Sequence, residues 1–177
     1  MSNARLIKSL FFFVSIAVCV HAKKDSPPVM YSNEQYRFSV TFPPKTRVYE
    51  NHSDVIDAIV SDRKQKLKLM VKIIIKPLQG VASWREYAEM QKKSIEMFSK
   101  DISINETDEF TLKNDSCLYY DASHTMGNNR LRSVWYTVKG DEYVYLITYM
   151  GDDTSFEKDS AVIKSILASF ALTGTNE

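Results

Sequence analysis

The strongest constraint on the fold is a period-two alternation of side chains between Lys66 and Ile75. One face of this segment is entirely apolar and consists of Leu67, Leu69, Val71, Ile73 and Ile75. The other face begins with lysines and ends on Ile74, which is typical of a strand that runs from a solvated edge toward a covered centre. The pattern therefore predicts a β-sheet with at least one face packed against a core.

Seven further segments have strand character, and two segments follow helical spacing. The predicted strands are 36–42, a short continuation at 47–50, then 55–60, 102–112, 117–124, 131–139 and 142–150. The first helix begins at the capping box Ser83-Trp84-Arg85-Glu86 and runs to about Lys100, and the second begins at Asp153 or Thr154. The order β-rich, helix, β-rich, helix predicts an α+β fold, an antiparallel sheet with helices packed on it.

The first 22 residues have the composition of a secretory signal peptide. Arg5 and Lys8 precede an apolar run, Leu10–Val20, and small residues at Val20 and Ala22 place the cleavage after Ala22. The apolar run falls short of the ~20 residues needed to span a bilayer. We therefore expect a secreted or periplasmic protein.

Cys19 offers an alternative, because it could accept a lipid anchor as in bacterial lipoproteins. That processing favours a small residue directly before the cysteine, and Val18 stands there. The lipoprotein is the less favoured of the two alternatives.

The segment after the predicted cleavage site divides into three parts. Residues 23–34 contain Pro27-Pro28 and are predicted to be an extended leader, 35–172 a single domain, and 173–177 a flexible tail. The signal segment holds two of the 23 basic residues and none of the 22 acidic ones, which leaves 21 against 22 and a net charge of −1. Such a balance provides no field for nucleic acid or an anionic membrane, so no nucleic-acid partner is expected.

Cys117 is the one cysteine that remains after cleavage. An exported protein with one cysteine has no internal disulfide, so the fold must be held by its core. We interpret Cys117 as a small buried hydrophobe. An intermolecular disulfide or a reactive thiol is the alternative.

The sequence contains no recognisable catalytic, metal or cofactor motif. His52 and His124 are the histidines that remain after cleavage, and neither has a second His or Cys at metal spacing. Asp121, Ser123 and His124 are adjacent along one strand, but neighbouring side chains of a strand point to opposite faces. We therefore predict a non-enzymatic protein without a cofactor or a metal ion.

Aromatic residues are concentrated on the last strands. The aromatic set, as we call it, comprises Tyr143, Tyr145 and Tyr149 with Trp135 and Tyr120 on neighbouring strands, where Tyr136 and Tyr119 are the alternatives to these last two. One interpretation is core beneath a helix. The other is a partly exposed groove for a peptide, a lipid or a partner protein, since Tyr and Trp supply large contact areas at low entropy cost.

Three glycosylation sequons begin at Asn51, Asn105 and Asn114. All three fall at predicted turns, and they matter only in a eukaryotic host.

Three motifs carry a family resemblance. They are the strand Tyr36-Arg37-Phe38-Ser39-Val40-Thr41-Phe42-Pro43, the helix start Ser83-Trp84-Arg85-Glu86-Tyr87, and the ending that runs from Phe156 to Ile163-Lys164-Ser165-Ile166-Leu167-Ala168-Ser169-Phe170. Over residues 35–172 the chain resembles the PsbP-like and DcrB-like families, which share an α/β/α sandwich with the yeast Ran-binding import factor. The resemblance implies an antiparallel sheet with helices packed on both faces. The resemblance does not specify a function, because these families include a photosystem subunit, envelope proteins and toxin chaperones.

The leading hypothesis is an exported, non-enzymatic adaptor that binds another protein at the cell envelope. The alternative is a carrier that binds a lipid or another small amphiphile on the Tyr-rich face. An enzyme with unfamiliar catalytic groups is a third and less favoured hypothesis. The sequence leaves the partner and the oligomeric state open.

Overall fold

A computed structural model describes residues 26–52, 54–62, 67–80 and 83–174 of the chain. The predicted signal peptide, with Cys19, and residues 175–177 of the predicted tail lie outside the described residues. The elements, in chain order, are β1 (Val29–Asn33), β2 (Phe38–Phe42), β3 (Arg47–His52), β4 (Val55–Asp62), β5 (Leu67–Pro77), α1 (Arg85–Phe98), β6 (Lys100–Leu112), β7 (Asp115–Met126), β8 (Asn129–Lys139), β9 (Tyr143–Asp152), a short 3-10 helix (Asp153–Ser155), α2 (Phe156–Ser169) and β10 (Ala171–Leu172). Neither of the two α-helices in these ranges is long and apolar enough to cross a bilayer.

The strands form two antiparallel sheets. The large sheet has the order β3-β4-β5-β9-β8-β7-β6, and the small sheet has the order β1-β2-β10. Hairpins join β3 to β4, β4 to β5, β6 to β7, β7 to β8 and β8 to β9, while the crossover from β5 carries α1. The predicted α+β class with a mostly antiparallel sheet is confirmed.

Part of the predicted leader is a strand. Residues of β1 pair with β2 in antiparallel register, from Val29 opposite Phe42 to Asn33 opposite Phe38. Val29 and Tyr31 of this strand pack against the core, which explains why a segment that follows Pro27-Pro28 is ordered. At the other end, Ala171 and Leu172 add to β2 as β10.

Both helices start slightly later than the capping motifs predict. The backbone N–H of Arg85 donates to the Ser83 hydroxyl at 3.2 Å, but Trp84 takes the N-cap position and α1 begins at Arg85. At the second helix the carboxylate of Asp152 accepts from the Thr154 backbone N–H at 2.9 Å and begins the 3-10 turn that precedes α2. Asp152 therefore caps the 3-10 turn, Ser155 takes the N-cap position of α2 without a side-chain cap hydrogen bond, and neither Asp153 nor Thr154 is the cap.

The core forms two clusters on opposite faces of the large sheet. The major cluster includes Tyr145 and Ile147 of β9 together with buried residues of α2 and of the small sheet. The minor cluster joins Val144 and Leu146 to Trp84 at the start of α1. Because successive residues of a strand point to opposite faces, β9 is buried on both of them.

Phe38 connects the small sheet to the rest of the molecule. Its side chain is fully buried, and its ring centre lies 5.5 Å from those of both Tyr145 and Phe170. The Tyr145 hydroxyl also donates to the backbone oxygen of Tyr36 at 2.6 Å. One aromatic cluster therefore holds the small sheet, the large sheet and the end of α2 together.

We predict that Phe38→Ala lowers the free energy of unfolding by about 3–5 kcal/mol, because it leaves a cavity among three packed elements. Urea denaturation followed by circular dichroism measures the change. Met97→Ala is the control, since Met97 is 72% exposed and its loss should change stability by less than about 0.5 kcal/mol. Equal effects of the two substitutions would contradict the connecting role of Phe38.

Candidate functional site

An open groove lies between α1 and strands β6, β7 and β8. We call it the α1 groove: Leu118, Tyr120 and Trp135 form its floor on the sheet, and Glu89, Lys92 and Glu109 stand on its walls. Its volume is about 470 Å³. This volume lies within the range of about 300–1,000 Å³ that is typical of ligand-binding clefts.

The groove exists because α1 is fixed to the sheet near its two ends. At its start Trp84 is buried in the minor cluster, and the Tyr87 hydroxyl donates to the backbone oxygen of Pro77 at 2.7 Å. Just after its end the Ser99 hydroxyl is hydrogen-bonded to His124 at 2.9 Å. Between these points Ala88 lines the groove, and its short side chain leaves space above the sheet.

The aromatic floor consists of a cross-strand pair. Tyr120 of β7 lies directly opposite Trp135 of β8, with ring centres 5.0 Å apart and planes tilted by 47°. The Lys92 ammonium lies 5.9 Å from the centre of the Tyr120 ring, near the limit for a cation–π contact. Burial raises the pKa of Tyr120, and the negative charges of Glu96 and Glu89 raise it further. The floor therefore combines apolar area with charged side chains of both signs around it.

A second groove, of about 270 Å³, lies on the other side of α1. Its lining is more apolar and includes Met70, Ile74, Phe98 and Met150. Trp135 contributes to both grooves, so the two sites share one aromatic residue beneath the helix.

The structure divides the aromatic set between two faces of the sheet. Tyr120 and Trp135 lie in the α1 groove, whereas Tyr145 and Tyr149 are buried in the major cluster and Tyr143 packs at its margin. The reason is register: Trp135 pairs with Thr148 of β9, so it shares a face with the even-numbered residues of that strand. The five residues do not form one surface, and the three β9 tyrosines belong to the core on the α2 side.

The buried tyrosines have defined polar partners. The Tyr149 hydroxyl donates to the carboxylate of Asp159 at 2.7 Å, and burial is the main cause of its raised pKa. Burial also raises the pKa of Tyr145 to about 12. Both hydroxyls therefore donate hydrogen bonds to acceptors within the protein.

His124 is fully buried between two serines. Its Nδ1 is hydrogen-bonded with the Ser99 hydroxyl at 2.9 Å and its Nε2 with the Ser133 hydroxyl at 2.8 Å. Burial lowers the pKa of the imidazole, and the charge of Arg130 lowers it further. Asp121 and Ser123 face the opposite side of the sheet, so the structure does not bring them together with His124.

A buried polar cluster on the α2 side has no recognisable signal in the sequence. Asp121 is 1% exposed and accepts from Arg132 Nε at 2.8 Å, Arg132 Nη2 at 2.7 Å and the Asn105 amide at 3.0 Å. Burial opposes the charge of Asp121, but the hydrogen bonds and the charge of Arg132 outweigh it and lower its pKa. The Arg132 guanidinium also lies 3.6 Å from the ring centre of Phe156, so the cluster ties β6, β7 and β8 to the start of α2.

Asn105 and Asn51 lie within strands β6 and β3, and not in turns as predicted. Of the three sequons, Asn114 is the one that occupies a turn.

The Cys117 thiol is fully buried in the major cluster, and burial raises its pKa to about 12. It therefore packs as an apolar side chain. Within the described ranges no group of three or more His, Cys, Asp and Glu side chains is placed to hold a metal ion.

No family model matches the chain, and no curated protein matches its sequence. Similar folds occur among solved structures. Cyanobacterial PsbP (CyanoP) from Synechocystis sp. PCC 6803 has a TM-score of 0.62 at 9% identity, over 89% of this chain and 98% of that one. The Saccharomyces cerevisiae Ran-binding protein Mog1p has a TM-score of 0.58 at 5% identity, over 85% and 97%. LpqN of Mycobacterium tuberculosis, involved in cell envelope biogenesis, has a TM-score of 0.54 at 13% identity, over 88% and 89%.

We predict that His124 makes the stability of the protein depend on pH. The folded pKa of His124 lies below the unfolded value of about 6.5, so the unfolded chain takes up more protons as the pH falls. The free energy of unfolding should therefore decrease as the pH drops from about 7 through the folded pKa. His124→Gln should remove this decrease, as measured by urea denaturation at a series of pH values.

His52→Gln is the matched control, because His52 is exposed at the end of β3. This variant should keep the pH dependence of the unchanged protein. The same slope in the His124→Gln protein would contradict the role of His124.

Proposed function

We propose that this chain, which has the PsbP/Mog1-like fold, is an exported, non-enzymatic accessory protein that binds a partner protein through the α1 groove. The observation that carries the proposal is the open groove over the Tyr120–Trp135 pair. Export is inferred from the basic and apolar pattern of residues 1–22.

The chemistry of the groove suits a protein segment. Tyr and Trp are enriched among the residues that dominate binding energy, because they bury large areas with few rotatable bonds. Lys92 and Glu89 on α1 and Glu109 on β6 surround this aromatic centre with charge. An apolar centre with a polar rim is the usual anatomy of a protein interface.

The proposal includes an α/β/α layering in which the two helices have different tasks. Helix α2 inserts Ile163, Ile166 and Leu167 into the major cluster and packs on that face of the sheet. Helix α1 has no fully buried residue and packs through Trp84 and Tyr87. The α2 layer thus serves stability, and the α1 layer remains open for binding.

The similar structures support an accessory role only by analogy, because sequence identities of 5–13% show a shared fold and not a shared function. LpqN is described as involved in cell envelope biogenesis, and Mog1p as Ran-binding. Of the two descriptions, that of Mog1p names a binding role. We propose a binding role of this general kind for the chain and carry over no partner from these proteins.

A carrier of a small amphiphile is the second candidate. It is favoured by the apolar groove on the other side of α1, where Met70, Phe98 and Met150 are all substantially exposed. An acyl chain could occupy that groove and reach Trp135. This arrangement concerns the α1 side and not the Tyr-rich face of β9.

An affinity pull-down of the protein from the envelope and secreted fractions of its host, analysed by native and peptide mass spectrometry, tests the proposal. We predict a stoichiometric partner protein whose capture is lost with Lys92→Glu, because this change reverses the charge beside Tyr120. Lys93→Glu is the matched control: Lys93 is exposed, is absent from the groove lining and should not affect capture.

Equal capture by the two variants would contradict the groove as the binding site. A bare protein that carries a co-purified small molecule would overturn the adaptor proposal and favour the carrier.

A further inference from the structure

Strand β6 forms one edge of the large sheet. It is 13 residues long and pairs with β7, and within the described part of the chain no strand lies along its other side. All but three of its residues are exposed. The register of β6 shifts between Lys100 and Ser103 and again between Ile104 and Glu106, so the regular part of this edge begins at Glu106. There the backbone presents donors and acceptors to which another extended chain can add, apart from the Glu109 N–H, which donates to the Asp108 carboxylate at 2.8 Å.

The charge of β6 is strongly one-sided. It carries four acidic residues, Asp101, Glu106, Asp108 and Glu109, against one basic residue, Lys100. Arg85 forms an ion pair with Glu109 at the rim of the α1 groove. The remaining acidic side chains leave the edge with a net negative charge.

This charge selects among the possible occupants of the edge. A second copy of the chain that paired β6 with β6 would bring acidic strands side by side, and like charges on neighbouring strands are destabilising. A basic segment would instead place its charges beside opposite ones. The charge of this edge therefore favours pairing with a basic segment over pairing with the β6 strand of a second copy.

The acidic residues lie on both faces of the strand. Glu106 and Asp108 pair with Asp121 and Tyr119 of β7, on the α2 side. Glu109 pairs with Leu118 and lies on the α1 side, where Thr107 pairs with Tyr120 of the groove floor. A segment that adds to β6 would therefore meet negative charge on both faces and would direct alternate side chains toward Tyr120.

We infer that β6 accepts an extended, basic segment of the partner protein as an additional antiparallel or parallel strand, with alternate side chains entering the α1 groove. This inference rests on the proposed function and specifies the partner's binding segment. A lysine or arginine beside Thr107 would lie near the Tyr120 ring, where a cation–π contact is favourable.

Short synthetic peptides test the inference on the unchanged protein. The first repeats the unit Lys-Lys-Val-Val, which places lysines on both faces of an added strand. The second replaces lysine by glutamate, and the third is the lysine peptide with alternate backbone nitrogens methylated. Binding is measured by titration with amide ¹H–¹⁵N spectra. We expect the lysine peptide to shift the amide signals of β6, and the glutamate peptide to leave them unchanged.

The methylated peptide separates strand addition from simple charge attraction, because it keeps every charge and loses backbone donors. We expect it to bind about tenfold more weakly or worse, which corresponds to the loss of one or two hydrogen bonds. Equal affinity of the two lysine peptides, shifts located away from β6, or no binding of either would overturn the inference.

Two charge-matched variants provide the second measurement. Glu106→Lys combined with Asp108→Lys should lower the affinity of the protein for the lysine peptide by about tenfold or more. Glu34→Lys combined with Glu157→Lys makes the same change in net charge at exposed positions in the β1–β2 turn and on α2. Equal weakening by both pairs would indicate a general charge effect and overturn the inference.

The outcomes also distinguish the two proposals. In one outcome, Lys92→Glu abolishes capture of the native partner but no peptide shifts the amide signals of β6. This outcome would leave the groove proposal intact and overturn strand addition. In another outcome, the lysine peptide binds at β6 and the Lys92→Glu protein captures the native partner as well as the unchanged protein does. This outcome would overturn the groove proposal alone.

Discussion

Strand β9 is paired on both edges and buried on both faces, and the remaining elements are arranged around it. Tyr145 and Ile147 extend into the major cluster, while Val144 and Leu146 extend into the minor cluster. Because β5 and β8 flank this strand, the register of the whole large sheet depends on its pairing. A shift by one residue would exchange the two sets of side chains and place each against the wrong layer.

The two layers on β9 differ in how completely they are packed. On one side α2 and the small sheet bury a continuous apolar cluster that includes Phe38 and Phe170. On the other side α1 is fixed near its ends by Trp84 and by the Ser99–His124 contact, and open grooves lie on both sides of the helix. One layer therefore supplies most of the apolar burial, while the other leaves Tyr120 half-buried at a groove.

The sequence predicted the strands and helices better than it predicted the site. Alternation in 36–42 and 66–75 identifies two core strands, because burial of one face imposes a period of two. Alternation does not say which face of one strand adjoins which face of the next. The predicted aromatic set therefore joins Trp135 and Tyr120 to Tyr145, although strand pairing places them on the opposite face of the sheet. The cluster around Asp121 depends on residues from three strands, and short-range patterns do not contain that information.

Hydrogen–deuterium exchange of the protein, free and in complex with the partner captured from its host, distinguishes binding on the α1 side of the sheet from binding on the α2 side. The proposed binding through the α1 groove predicts that complex formation slows exchange in α1, β6 and β7 and leaves α2 and the small sheet unchanged. Protection concentrated in α2 or in the β1–β2 hairpin, with α1 unaffected, would contradict it.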